Sequence, residues 1–262
     1  MIERENLEEQ EELVLDFDLF NGNNLKTIPF YDDSNIVKML IDVVSVYKND
    51  ISLYRKHEEF KNIDIYICQD FIGFMYSAEA HFGRTWTDLE VICRPIIFDY
   101  TNAEIVCRGM NKFFNLGEVP VTQIDLINEW SLNPDYQLNV ADKLDGSFVM
   151  VFKYKNKVYA STKHGLETPQ AKWTAMHLKY NYSTDHIPES VTLFFEAIYK
   201  ENYDGDNLII KYPFEGIFLF GARYNYGGEF TYANLKLLSD QAAYQMVKFS
   251  NIPNFLSLVE QN

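Results

Sequence analysis

Lys143-Leu144-Asp145-Gly146-Ser147 is the sharpest chemical feature of the sequence, and it sits directly before a strongly apolar stretch. A lysine in a tight turn at a strand's edge is partly desolvated, and nearby cations depress its pKa. It can then attack an electrophile as a neutral amine at ordinary pH. Gly146 would let the backbone approach a ligand closely. The plainer reading makes this run a polar turn, since Asp-Gly is the commonest hairpin signal. Taken alone, the plainer reading prevails. Lys153, Lys155, Lys157, Lys163 and Lys172 follow closely, and by themselves they read as solvated strand and helix faces. Rival chemistries are weaker still. The five histidines lack ligand spacing, so His177 reads as a helix-surface residue. Tyr226-Gly227-Gly228 lacks the phosphate-loop lysine, and no Gly-x-Ser-x-Gly elbow is present.

The elements that must position Lys143 can be read from periodicity. Residues 4–12, rich in Glu, suggest an exposed helix or arm. The apolar stripe Ile36, Val37, Leu40, Ile41, Val44 and Tyr47 predicts a helix from Ser34, placed as its N-cap, to Lys48. Ile63, Ile65 and Ile67 alternate as in a strand. Val91–Phe98 and Glu104–Arg108 are predicted strands joined by a turn at Asp99–Asn102. Phe148–Tyr154 and Lys157–Ser161 form a hairpin about Lys155-Asn156. Thr168-Pro169 opens a helix through about Tyr180. Val191–Ala197, Leu208–Lys211 and Gly216–Ala222 are further strands, and residues 232–249 read as a helix ended by Pro253. Hairpins with irregularly interspersed helices predict an antiparallel α+β fold, not a βαβ series.

Composition bounds the function. The 262 residues are 47% hydrophobic and 16% aromatic, enough for a buried core and contrary to general disorder. No apolar run spans a bilayer, and the acidic start MIERENLEEQEE is unlike a secretory leader. Cys68, Cys93 and Cys107 show neither metal spacing nor a disulfide framework, so a reducing, intracellular (cytoplasmic) setting is expected. The net charge of −15 opposes non-specific nucleic-acid binding by the whole surface but leaves room for a local basic groove.

Several short runs in order give the Lys143 turn its context. Ile92-Cys93-Arg94-Pro95-Ile96-Ile97-Phe98 and Asn111-Lys112-Phe113-Phe114-Asn115 precede it. Ser161-Thr162-Lys163-His164-Gly165, Phe194-Phe195-Glu196-Ala197-Ile198 and Tyr212–Glu229 follow. Together they resemble the RNA ligase 1 family of phage-type RNA-repair enzymes, within the covalent nucleotidyltransferases, over about residues 90–250. That order is far more specific than any single motif. The resemblance implies an antiparallel-sheet nucleotidyltransferase core as one adenylation-type domain over 1–262. An amino-terminal part would span 1–90 and a motif-bearing core 91–250.

It further implies that Lys143 is the nucleophile, which forms lysyl-AMP from ATP with magnesium. RNA 5′-phosphate and 3′-hydroxyl ends, tRNA-like or otherwise structured, would then be sealed. Asp145 and Gly146 belong to the nucleotide-binding turn. Arg94 and Lys112 would contact the triphosphate and Lys163 would lie by the nucleotide. Glu196 would contact the ribose or orient a metal-bound group, and Phe114 would pack near the base or in the core. Two departures stand out. Pro95 replaces the family's usual glycine. The family's last motifs, a Glu-Gly strand and a Lys-x-Lys strand, have no convincing copy. Glu215-Gly216 and Lys236 imitate them, as a turn residue and an exposed helix residue. Three expectations follow: an enzyme truncated at its carboxyl end, a second chain supplying those motifs, or a catalytically incomplete nucleotide- or protein-binding module.

Overall fold

The computed structural model describes residues 34–47, 50–54, 57–83, 86–133, 139–199 and 210–251. The expected arm at 4–12, Lys48, Leu208 and Pro253 lie outside them, as does the Ser34 side chain. The helices are α1 (Ser34–Tyr47), α2 (Ile51–Tyr54), α3 (Ala78–Gly83), α4 (Asp88–Ile92), α5 (Ile124–Leu132), α6 (Pro169–Asn181) and α7 (Tyr232–Ala242). The strands are β1 (Ile63–Cys68), β2 (Phe71–Tyr76), β3 (Ile96–Asp99), β4 (Ile105–Arg108) and β5 (Asn139–Ala141), followed by β6 (Ser147–Tyr154), β7 (Lys157–Ser161), β8 (Val191–Ile198), β9 (Gly216–Tyr224) and β10 (Phe249–Asn251).

Two four-stranded antiparallel sheets carry the fold, in the orders β1-β2-β3-β4 and β7-β6-β8-β9. The first takes two strands from before residue 90 and two from after it. Strand alternation gives each sheet two apolar faces. Phe71, Ile97, Val106 and Cys107 of the first sheet meet Met150, Phe152 and Phe194 of the second in a shared core. Edge-on rings lock this contact, with Phe71 and Phe152 centroids 5.8 Å apart. The outer face of the first sheet buries Ile72, Phe74, Ile96 and Phe98 beneath Val37, Leu40 and Val44 of α1. The outer face of the second packs Val151, Leu193 and Phe195 on Ala171 and Leu178 of α6 and Leu235 and Leu238 of α7. The order from one side to the other is helix, sheet, sheet, helix. The expected mixed fold with antiparallel sheets is what the chain adopts. Among the described residues no helix is long and apolar enough to cross a membrane.

The buried Asp99 ties the sheets together at one end. Its carboxylate accepts the Tyr154 hydroxyl at 2.6 Å and the Thr101 and Asn102 N–H groups at 2.8 and 2.7 Å, with the Lys155 ammonium at 3.4 Å. Burial alone would raise its pKa, but these donors outweigh it and hold the carboxyl below its ordinary value. Lys155 and Asn156 both adopt positive φ, 50° and 59°, as a two-residue hairpin turn requires.

Three expected elements differ. Val91–Phe98 is not one strand: residues 88–92 are helical, Arg94-Pro95 is a bend, and only then does β3 begin. The cause is a capping box. The Thr87 N–H donates to the Glu90 carboxylate at 2.8 Å, and the Glu90 N–H donates to the Thr87 hydroxyl at 3.3 Å. Pro95 then forbids continuation of the helix. In Leu208–Lys211, the described residues Ile210 and Lys211 are not strand. The helix expected over 232–249 stops at Ala242, with Ala243 left-handed at φ 55°. The following residues pair instead with β9, where the Leu219 N–H donates to the Gln245 carbonyl at 2.7 Å and the Val247 N–H to the Leu219 carbonyl at 3.0 Å. Sheet pairing supplies backbone partners that override the apolar helical spacing.

Candidate active site

The Lys143 turn lies between β5 and β6, at the end where β6 enters the second sheet. Residues 210–212 brace it. The Tyr212 hydroxyl accepts the Asp145 N–H at 2.9 Å, and the Asp145 carboxylate accepts the Ile210 N–H at 2.8 Å. Gly146 donates its N–H to the Glu196 carboxylate at 2.9 Å from the neighbouring strand β8. A Cβ at Gly146 would stand 2.7 Å from the Ala197 carbonyl oxygen and 3.0 Å from Glu196 Cγ. Only glycine lets the turn lie this close. Gly146→Ala should therefore lower stability by about 1–3 kcal/mol through the clash. Calorimetric melting checks it, and an unchanged melting temperature would mean the turn has room to move.

Glu196 continues the face of β8 that carries Phe194, opposite Phe148 in the ladder, and so looks toward the first sheet. Burial pushes its carboxyl from 4.5 up to about 7. The Gly146 N–H, Lys143 and Arg94 pull it back down, while Asp145 adds to the rise. The linkage has a definite sign. A folded-state pKa above the ordinary value means that the folded chain holds a proton the unfolded chain has released between pH 4.5 and about 7. The stability due to this group is complete below pH 4.5 and is lost as the pH rises through about 7. Thermal melts should show Glu196→Gln gaining on the wild type between pH 5 and 8. Parallel pH slopes for the two proteins would rule this group out as the source.

Arg94 comes from the bend created by Pro95. Its guanidinium lies 4.2 Å from the Phe113 ring centroid and 5.6 Å from that of Phe148. Burial lowers its pKa, while Tyr76 and Glu196 support the charge. One terminal nitrogen, Nη1, is buried without a hydrogen-bond partner, a donor placed for an acceptor from outside the chain. Burial, then Arg94, depresses the Lys163 ammonium. Burial also depresses Lys112, with Glu118 opposing and Arg94 adding to the effect. Three cations thus share one neighbourhood, and a polyanion would relieve their mutual repulsion.

Lys112 stands 5.1 Å from the Trp86 ring centroid and 4.3 Å from that of Phe114, and it donates to the Phe113 carbonyl. Lys163 lies 5.7 Å from the Tyr76 ring centroid. Phe114 itself packs edge-on to Trp86 at 5.9 Å.

Of the residues singled out from sequence, Arg94, Lys112, Lys163, Glu196 and the Lys143–Gly146 turn are linked through these contacts, with Phe114 beside Lys112. Lys143 itself is exposed, which corrects the expectation of a partly desolvated amine. It precedes β6, at the rim of the second sheet. Two of the following lysines are elsewhere: Lys155 pairs with Asp99 at 3.4 Å and Lys172 with Glu167 at 2.8 Å. Lys236 is an exposed residue of α7 paired with Asp240, and Glu215 is exposed near His177. His177 is half-buried and stacks on Trp173 at 4.7 Å. Sequence reasoning missed Tyr76 and Trp86, and it placed Tyr212 at the head of a family-like run without giving it a role. Nothing set Tyr76 and Trp86 apart among 18 Tyr and 3 Trp.

Comparison with known proteins agrees with the motif order. Two solved structures of an archaeal ATP-dependent RNA ligase, forms 1 and 2, superpose with TM-scores of 0.51 and 0.52 at 15% and 18% identity. Each match covers 84% of this chain but only 56% of the archaeal one, so the chain spans just over half the length of these relatives. At this identity they show a shared fold. A family model described as RNA ligase matches residues 92–260, more than half of the chain. The chain belongs to the RNA ligase family.

Proposed function

We propose that this chain carries the nucleotide-binding and nucleophilic core of an ATP-dependent RNA ligase, with Lys143 as the group that becomes adenylylated. The observation that supports this most is the gathering of Arg94, Lys112 and Lys163 beside the Lys143 turn, with a buried Arg94 donor lacking a protein acceptor. The Lys143 amine, once deprotonated, attacks the α-phosphorus of ATP. The nitrogen–phosphorus bond forms as the bond to the β-phosphate oxygen breaks, and pyrophosphate departs toward Arg94 and Lys112. AMP then passes to an RNA 5′-phosphate, and a 3′-hydroxyl displaces it to join the ends.

Among the described residues no three carboxylate, histidine or cysteine side chains could hold a metal by themselves. Magnesium usually needs only one or two carboxylates alongside substrate phosphates, and Glu196 and Asp145 lie close enough to influence one another. These two would hold magnesium, which supplies charge neutralisation at the phosphates. The Glu196 carboxyl, raised to about 7, takes that role more fully above neutral pH. Incubating the full-length protein with α-labelled ATP and then with 5′-phosphorylated RNA tests the reading. Label should move first to protein and then to RNA. A protein that binds ATP but never becomes labelled defeats the proposal.

A further inference from the structure

Arg223 of β9 is a buried cation, 4% exposed, that takes no part in the chemistry above. Its guanidinium spans two segments. Nη1 donates to the Asn111 side-chain oxygen at 2.8 Å and to the Gly109 carbonyl at 3.3 Å, and Nη2 donates to the Gly227 carbonyl at 3.2 Å. Gly109 to Asn111 open the stretch that delivers Lys112, which has no helix or strand from residue 109 to 115. Gly109 is also pressed against the Arg94-Pro95 bend: a Cβ there would stand 2.3 Å from the Arg94 carbonyl oxygen, and its N–H donates to the Pro95 carbonyl at 2.8 Å. One arginine therefore grips the point from which both Arg94 and Lys112 are hung.

The other end of the clamp is firm. The turn beyond β9 is fastened to β4, where the Ile105 N–H donates to the Tyr226 hydroxyl at 2.8 Å and the Asn225 side-chain amide donates to the Ile105 carbonyl at 3.1 Å. Thr192 of β8 closes the network, donating to Asn225 at 2.8 Å and accepting the Arg108 N–H at 2.9 Å. A guanidinium is planar and permanently charged, so its fork fixes direction as well as distance. A lysine would retain the charge and lose the fork.

We propose that Arg223 is a positioning residue for the Arg94/Lys112 pair, setting the separation of the two cations that receive pyrophosphate by acting through Asn111 and Gly109. This rests on the reading of Arg94 and Lys112 as phosphate-binding. The test uses the full-length protein, its Asn111→Ala, Arg223→Lys and Arg94→Ala variants, and the Asn111→Ala/Arg223→Lys double variant. Binding of pyrophosphate with magnesium and binding of AMP are measured separately by calorimetry, with melting curves in parallel. Asn111→Ala and Arg223→Lys should each weaken pyrophosphate binding by about ten- to a hundredfold, the scale of losses from small misplacements, and leave AMP binding nearly unchanged. The double variant should bind no worse than the weaker single one, because both remove the same link.

If Arg223→Lys fails to fold, Asn111→Ala carries the test, since it removes one half-buried side chain and leaves the arginine in place. Unchanged pyrophosphate affinity in folded variants overturns the inference alone, provided Arg94→Ala loses binding. Equal loss for AMP and pyrophosphate also overturns it, by showing a general structural role. A wild-type protein that binds no pyrophosphate, or an Arg94→Ala variant that binds it normally, removes the phosphate reading and the inference with it.

Discussion

Lys143→Ala is expected to abolish label transfer from α-labelled ATP to the protein while leaving the fold intact. Both halves follow from position. The side chain is exposed, so truncation should change stability by no more than about 0.5 kcal/mol. The chemistry is another matter. Removal of an enzyme nucleophile costs on the order of a millionfold in turnover, because no other group can form the covalent bond. Glu196 would lose one of the charges that restrain its rise in pKa, so ATP binding in the variant should become more sensitive to pH between 6 and 8. Lys143→Arg separates charge from nucleophilicity: it should restore the electrostatics and remain unlabelled. Denaturing gels report the adduct and melting curves report the fold. Persistent stoichiometric labelling of Lys143→Ala would assign the nucleophile to another residue.

Arg94→Ala should give the second largest loss, and a mixed one. The guanidinium does three things at once. It offers Nη1 as an unpartnered donor, bears on the Phe113 and Phe148 rings, and lowers the Glu196 carboxyl. Removing a preorganised donor at developing phosphate charge costs about a hundredfold to a thousandfold in rate. Loss of the ring contacts should add about 0.5–2 kcal/mol of destabilisation. Glu196 should then titrate above its present value near 7, moving the fall in stability to higher pH. Lys112 and Lys163 would be freed from the Arg94 field that now depresses them. Arg94→Lys should rescue stability better than rate, because a point charge replaces one cation but not a planar fork. Equal rates for Arg94→Ala and wild type, with the fold retained, would exclude Arg94 from the phosphate site.

The sequence by itself determined the antiparallel character of the fold and the family. The alternation at Ile63–Ile67, the hairpin at Lys155-Asn156 and the Thr168-Pro169 helix start are local signals, and local backbone preference and periodicity were enough to read them. The order of the Arg94, Lys112, Lys143, Lys163 and Glu196 runs is likewise written along the chain. What only the tertiary structure decided is distance and burial. That Arg94 presses on Phe148 and that Glu196 is raised to about 7 depend on two sheets meeting face to face, and that Tyr212 holds Asp145 depends on two segments 67 residues apart leading into the same sheet. Strand alternation says that each face must be covered and never by what. The same limit explains why the helix expected over 232–249 stops at Ala242: the partner that won residues 245–247 was β9, a strand more than twenty residues earlier. It also explains Arg223, a cation whose Asn111 and Gly109 partners lie 112 and 114 residues away, separations at which spacing along the chain carries no information about contact.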